Sequence, residues 1–178
     1  MEIRFVPPDL RRLDLLRSEA MALSFFEDER PLRGALGLAD WRLCGFLSRQ
    51  IEAGRARGEL GEVLLVPARG RLTPDKIFVF GLGPRARFGA DILDAVLDTM
   101  FDVLTCAQVR TSVLAIPGRS VELIPAKDAM RALLRAARRR PETDEVTLVD
   151  VPEAQKAMAQ ILEQERRRAR ASWVGPEP

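Results

Sequence analysis

The chain alternates between short apolar runs and longer stretches in which apolar residues return every three or four positions. The first pattern predicts strands and the second amphipathic helices. Met1–Val6 reads as an opening strand that Pro7-Pro8 closes. Asp9 is placed to cap a short helical turn over Asp9–Leu15. Ala20–Phe26 reads as a second, mostly buried strand, after which Glu27-Asp28-Glu29-Arg30-Pro31 is expected to leave the core.

From about Asp40 to Arg57 the spacing predicts one helix. Leu43, Cys44, Phe46, Leu47 and Ile51 share its buried side, Arg42, Arg49 and Glu52 lie opposite, and Gly54 and Gly58 mark a frayed end. Two short apolar runs follow, Glu62–Val66 and Lys76–Phe80. The link between them is too short for a helical crossover, so they are expected to pair antiparallel. The longest helix is predicted from about Phe88 to Gln108, then a strand over Thr111–Ile116, a helix from about Pro125 to Arg139 and a strand over Glu145–Val149. A final helix should run from Asp150 and Pro152 to about Arg168, ahead of a loose tail over Ala171–Pro178. Roughly six strands interleaved with helices imply an α/β fold, a three-layer α/β/α sandwich around a mixed sheet. Residues 1–170 form one domain in this reading.

Composition narrows the chemistry. There is no histidine and no tyrosine. Imidazole bases, Ser-His and Cys-His nucleophilic pairs and histidine-bearing metal sites are therefore out of reach. Cys44 and Cys106 fall within predicted helices and are expected to be reduced core residues. The N-terminus lacks the basic-then-apolar layout of a signal peptide, and no apolar run is long enough to span a bilayer, so the expected location is the cytoplasm, without membrane contact. A net charge of +2 does not announce a nucleic-acid partner. No cofactor is expected.

Three consecutive segments carry a more specific pattern: Pro31-Leu32-Arg33-Gly34-Ala35 before the first long helix, the hairpin from Glu62, and Lys76-Ile77-Phe78-Val79-Phe80-Gly81-Leu82-Gly83. Their order resembles the N-terminal domain of the leucyl aminopeptidase (M17) family over about residues 1–150. The resemblance implies a fold akin to macro domains. In that family a larger domain follows and supplies the two-metal site, with an Asn-Thr-Asp-Ala-Glu-Gly-Arg-Leu stretch as its signature. Nothing like that stretch occurs in these 178 residues. No catalytic or metal-binding residue can be carried over, and the chain is expected to be non-catalytic and to act through protein contacts or self-association.

Four features remain as candidate sites. Gly81-Leu82-Gly83-Pro84-Arg85-Ala86 fits G-x-G-x-x-A between a strand and a helix. It is read as a tight turn or, since macro-like folds bind ADP-ribose at strand ends, as a nucleotide loop. Arg85, Arg87 and Arg119, the last beside Gly118, would then be its phosphate partners. Asp91, Asp94, Asp98 and Asp102 form one stripe of the long helix, a solvated face or a docking surface for a basic partner. Lys127, Arg131, Arg135, Arg138 and Arg139 flank the apolar side of the next helix. They suit the helix dipole, could grip nucleic acid, or could meet the aspartate stripe across a contact between copies. Trp173 is a candidate interface anchor.

Overall fold

The computed structural model describes residues 1–172 and is built on one six-stranded sheet. The strands are β1 (Glu2–Val6), β2 (Ala20–Phe25), β3 (Val63–Pro67), β4 (Lys76–Gly81), β5 (Thr111–Leu114) and β6 (Glu145–Val149), in the spatial order β1-β6-β5-β2-β4-β3. All neighbours are parallel except β3 and β4, which form the expected hairpin. The helices are α1 (Leu10–Leu13), α2 (Gly34–Arg42), α3 (Phe46–Glu52), α4 (Ala90–Cys106), α5 (Ala126–Ala137) and α6 (Pro152–Ser172).

Alternation along the strands divides the interior into two layers. Ala22, Phe80, Leu114 and Leu148 face a core closed by α4, α5 and α6, with Leu97, Met100, Phe101, Leu133 and Met158. Met21, Leu23, Ile77, Val79 and Val113 face a second core closed by α1, α2 and α3, with Leu13, Leu36, Leu47 and Ile51. Each of the larger of these side chains taken from water contributes roughly 1.5–3 kcal/mol. The three-layer α/β/α reading is what the structure shows.

Several local expectations are corrected. The single helix predicted over Asp40–Arg57 is two helices. Cys44 and Gly45 both adopt positive φ (56° and 72°), which breaks the ladder and starts a second axis. Asp40, read as a helix start, sits in the last turn of α2 and caps α3 from there. Its Oδ1 accepts from Leu47 N at 2.7 Å, and its Oδ2 accepts from Ser48 Oγ at 2.6 Å. Cys44 and Cys106 are both exposed rather than buried. Gly58 is buried against Glu27 and Phe25 and is no frayed end. Ala171 and Ser172, placed in a loose tail by sequence, belong to α6.

The acidic turn after β2 leaves the core as expected at Glu27, Asp28, Arg30 and Pro31, all exposed, but not at Glu29. Glu29 is buried, and its carboxylate accepts the backbone N–H groups of Phe26 (3.3 Å) and Arg33 (3.1 Å), stapling the end of β2 to the entry of α2. Burial pushes the carboxyl above its ordinary range, opposed by the two N–H donors and by Arg85 and Arg33. A folded-state pKa raised above the unfolded one means that the folded chain holds the proton longer. That contribution to stability is full below the ordinary glutamate pKa and is lost as pH rises through the raised one. Urea midpoints of wild type and Glu29→Gln, measured across acid to neutral pH, should shift relatively in favour of the variant as pH rises. A constant difference would contradict the raised pKa.

Candidate functional site

After β2 the chain turns to the α2 side of the sheet, and after β5 it turns to the α5 side. β2 and β5 are parallel neighbours, so a crevice opens where their C-terminal ends diverge, the place where open α/β sheets hold ligands. The structure has a cavity of about 140 Å³ there. Leu23 and Ser24 of β2, Ile116 after β5, Gly34 at the start of α2, and Arg119 and Asp150 are among the residues that line it. The first N–H groups of α2 have no intrahelical acceptor, and Arg33, its N-cap, supplies no side-chain cap.

Arg119 decides what this crevice can do. Its guanidinium donates to Asp150 (Nε–Oδ2 2.9 Å, Nη2–Oδ1 3.4 Å) and to Ile124 O at 2.7 Å. The two side chains are only 10% and 8% exposed. The arginine read as a phosphate partner is thus committed to a buried carboxylate. Gly118 beside it has φ 77°, and a Cβ there would lie 2.4 Å from Phe88 Cε1, so packing accounts for this glycine. The cavity is small against the roughly 300–1,000 Å³ of sites that bury a drug-sized ligand.

The glycine loop after β4 lies apart from the cavity lining. A Cβ on Gly81 would stand 2.0 Å from Glu59 O, and Gly83 N donates to Gly58 O at 2.8 Å. These contacts are what a tight turn against the 58–60 loop requires. Arg85 and Arg87 form a 3-10 turn before α4, whose N-cap is Gly89, so the loop does not open directly into the helix. Arg85 stacks over Phe26 at 5.7 Å and its backbone N–H donates to Asp28 Oδ1, while Arg87 is exposed.

The aspartate and arginine stripes meet, but within one chain. Arg135 pairs with Asp94 at 2.7 Å, Arg139 with Asp98 at 2.9 Å, and Arg140 with Asp102. The stripe stays partly solvated as expected, with Asp94 41% and Asp102 58% exposed, and lies along the seam between α4 and α5, where these pairs form within one chain. Arg138 pairs with Glu165, and Arg131 with Asp128. Of the basic side chains between Arg119 and Arg140, Lys127 alone lacks a carboxylate partner among the described residues. The local positive excess that could grip nucleic acid is largely neutralised. Asp91 has no ion pair among the described residues, and Trp173 lies outside them. No cluster of three or more acidic or thiol side chains suited to a metal ion occurs among the described residues, and no described helix is long and apolar enough to cross a membrane.

Sequence reasoning passed over Trp41. This side chain projects from α2 and is 66% exposed, with the Arg42 guanidinium 5.2 Å from its ring. It borders an open depression of about 680 Å³ with Pro31, Leu32, Ser48 and Arg71. Arg42 is held by Asp14, and Arg71 Nη1 lies 2.9 Å from Cys44 Sγ. The available signal was a tryptophan flanked by Asp40 and Arg42, outside the apolar stripe of its own helix.

Comparison with known proteins places the fold and the family. The structure superposes on the macrodomain of Trypanosoma brucei, solved in complex with ADP, with a TM-score of 0.71 at 14% identity, covering 90% of this chain and 69% of that one. It superposes on a tomato leucine aminopeptidase with a TM-score of 0.61 at 14% identity, covering 91% of this chain and 35% of that one. In sequence it is 33% identical over 86 residues to a probable cytosol aminopeptidase of Sulfurihydrogenibium sp. (strain YO3AOP1). That match takes in 48% of this chain and spans 17% of the relative's length. The model of the cytosol aminopeptidase family, N-terminal domain, matches residues 22–146. With most of its length matched in this way, the chain belongs to the cytosol aminopeptidase family, of which it carries the N-terminal domain.

Proposed function

We propose that this domain is a non-catalytic interaction module that docks another protein on its α2–α3 side. The observation that carries the reading is Trp41, a large aromatic left mostly in water at the edge of an open depression. Tryptophans desolvated at the centre of an interface are among the strongest single contributors to binding. Arg49, Arg69 and Arg71 surround the neighbouring hollow, whereas the Asp40 carboxylate is spent on capping α3. The fitting partner segment therefore carries an apolar anchor with carboxylates beside it.

A tagged chain recovered from its native extract should bring down one partner at near-equal stoichiometry. Trp41→Ala should weaken that complex by at least about tenfold, and Arg71→Glu should weaken it too. Capture unchanged by Trp41→Ala overturns the site, and recovery of bait alone overturns the role. Hydrolysis of leucine amides by this chain, with manganese or zinc supplied, should be undetectable. A robust metal-dependent rate from clean protein would refute the non-catalytic reading.

A second reading rests on the crevice between β2 and β5, where the uncapped start of α2 favours a phosphate-bearing small molecule. The Arg119–Asp150 pair and the small volume oppose it. Millimolar ADP-ribose should leave the melting temperature unchanged under the docking reading. A saturable rise would favour the crevice instead.

A further inference from the structure

β3 is the outer strand of the hairpin, and its free edge points away from β4. In the antiparallel ladder the bonded pairs are Glu62 with Gly81 (Gly81 N to Glu62 O, 2.9 Å) and, six residues on, Ala68 with Asp75 (Ala68 N to Asp75 O, 2.9 Å). Bonded pairs recur at every second residue, so Leu64 and Val66 are also bonded to β4. Val63 and Leu65 therefore turn their N–H and C=O groups outward. Pro67 shares that outward register but has no N–H, and Gly61 lies in a turn, so the usable edge is confined to residues 63–65.

The side chains along this edge are unusual for a strand left to water. Leu60, Val63 and Leu65 are all exposed, Leu65 by 59%, and Leu60 and Val63 line a shallow hollow with Ala95 and Thr99 of α4. Natural sheets commonly blunt such an edge with lysine or with inward-pointing charge, and residues 63–66 have neither. Charge is instead sorted by end. Glu59, which pairs with Arg57, and Glu62 immediately precede the strand, and Arg69 and Arg71 follow it. Arg69 has no carboxylate partner among the described residues.

We propose that two copies of this chain pair through β3, antiparallel about a two-fold axis through Leu64, to make one continuous sheet. In that register Val63 faces Leu65 of the second copy at both ends, which forms about four N–H···O bonds between the chains. Leu64 meets its own copy as a close non-bonded pair on the α2–α3 side, and Val63 and Leu65 meet on the α4 side. The acidic end of each strand lies against the basic end of the other, so charge selects antiparallel over parallel pairing. A two-fold contact of this kind closes, which prevents open-ended growth. The paired strand does not include Trp41, although Arg69 and Arg71 at its end also line the hollows on the α2–α3 side, and the inference does not depend on the docking reading.

Sedimentation at tens of micromolar (about that range, given modest buried area) is expected to show a dimer. Leu65→Lys should weaken it by at least about tenfold. This residue is exposed in the single chain, so an unchanged circular dichroism spectrum would separate lost pairing from lost folding. Arg69→Glu should weaken the dimer, and the added change Glu59→Arg should restore part of it. A wild-type monomer at that concentration overturns the proposal, as does a dimer indifferent to Leu65→Lys. Trp41→Ala should leave the dimer intact, so failure of the docking reading and failure of this one produce different results.

Discussion

Asp150→Ala is expected to lower stability by about 3–5 kcal/mol, read as a fall in the urea midpoint at unchanged slope. The effect comes less from the bond removed than from the charge left behind. Arg119 is 10% exposed, and its side chain joins the loop after β5, the entry to α5 and the end of β6 through Ile124 O and Asp150. Without the carboxylate a buried guanidinium keeps one carbonyl partner and no counter-charge, and it cannot lose its proton to escape the cost. Asp150 Oδ1 also accepts Val151 N at 2.8 Å, so the start of α6 loses a partner as well. Removing both charges should be far milder. Arg119→Met combined with Asp150→Leu is expected to recover most of the loss, since apolar pairs of similar volume often replace buried ion pairs without penalty. A double variant as unstable as Asp150→Ala would mean that shape, not charge, governs this corner.

Gly81→Ala should be the second most damaging change, costing about 1–3 kcal/mol or more. The added Cβ would lie 2.0 Å from Glu59 O and 2.7 Å from Gly58 C, both backbone atoms. That loop cannot step aside cheaply. It is held by Gly83 N to Gly58 O at 2.8 Å, by Gly81 N to Glu62 O at 2.9 Å, and by the Glu62 carboxylate on Arg57 N and Gly58 N. Gly83→Ala provides the contrast. Its φ of 70° costs an L-residue about 1–2 kcal/mol, but its nearest neighbour, Leu60 Cβ, would be 3.5 Å away. Thermal melts of the two variants should therefore rank Gly81→Ala below Gly83→Ala. The opposite ranking would point to a loop that moves freely, as a ligand-binding loop does.

The sequence made the layers of this fold legible because period two and period three-to-four patterns do not mimic each other over these lengths. The hairpin was legible from the shortness of its link, and the sandwich from the alternation of strand and helix. The break at Cys44-Gly45 was not. Leu43, Leu47 and Ile51 keep the same buried side across it, so the wheel of one helix and the wheels of two look alike. The only local signal was a glycine in mid-pattern. The arginine partners of the aspartate stripe were hidden for a different reason. Periodicity identifies the side of a helix that is buried against the sheet, but it is silent about the flank that a neighbouring helix covers. Arg135, Arg139 and Arg140 arrive there only when α5 packs beside α4. Glu29 shows the same limit, because an acidic run is written alike whether its middle carboxylate meets water or two backbone N–H groups. At the candidate sites the sequence brought Arg119 to notice but not its partner Asp150, some thirty residues on. It missed Trp41 because exposure of one residue on an otherwise well-patterned helix leaves no periodic trace.

β1 has no neighbour except β6, and Glu2 stands opposite Glu145. During synthesis the opening strand therefore leaves the ribosome long before the only strand that can receive it exists. The β2–β4 and β2–β5 pairs can close while β1 is still waiting, so its docking comes late and the folding rate carries the cost of that long loop. In the interval the strand is an unpaired template for any other nascent chain. Glu2 and Arg4, exposed on either side of buried Ile3, put charge on it during that wait, and in the folded protein they go on shielding the sheet's outer margin.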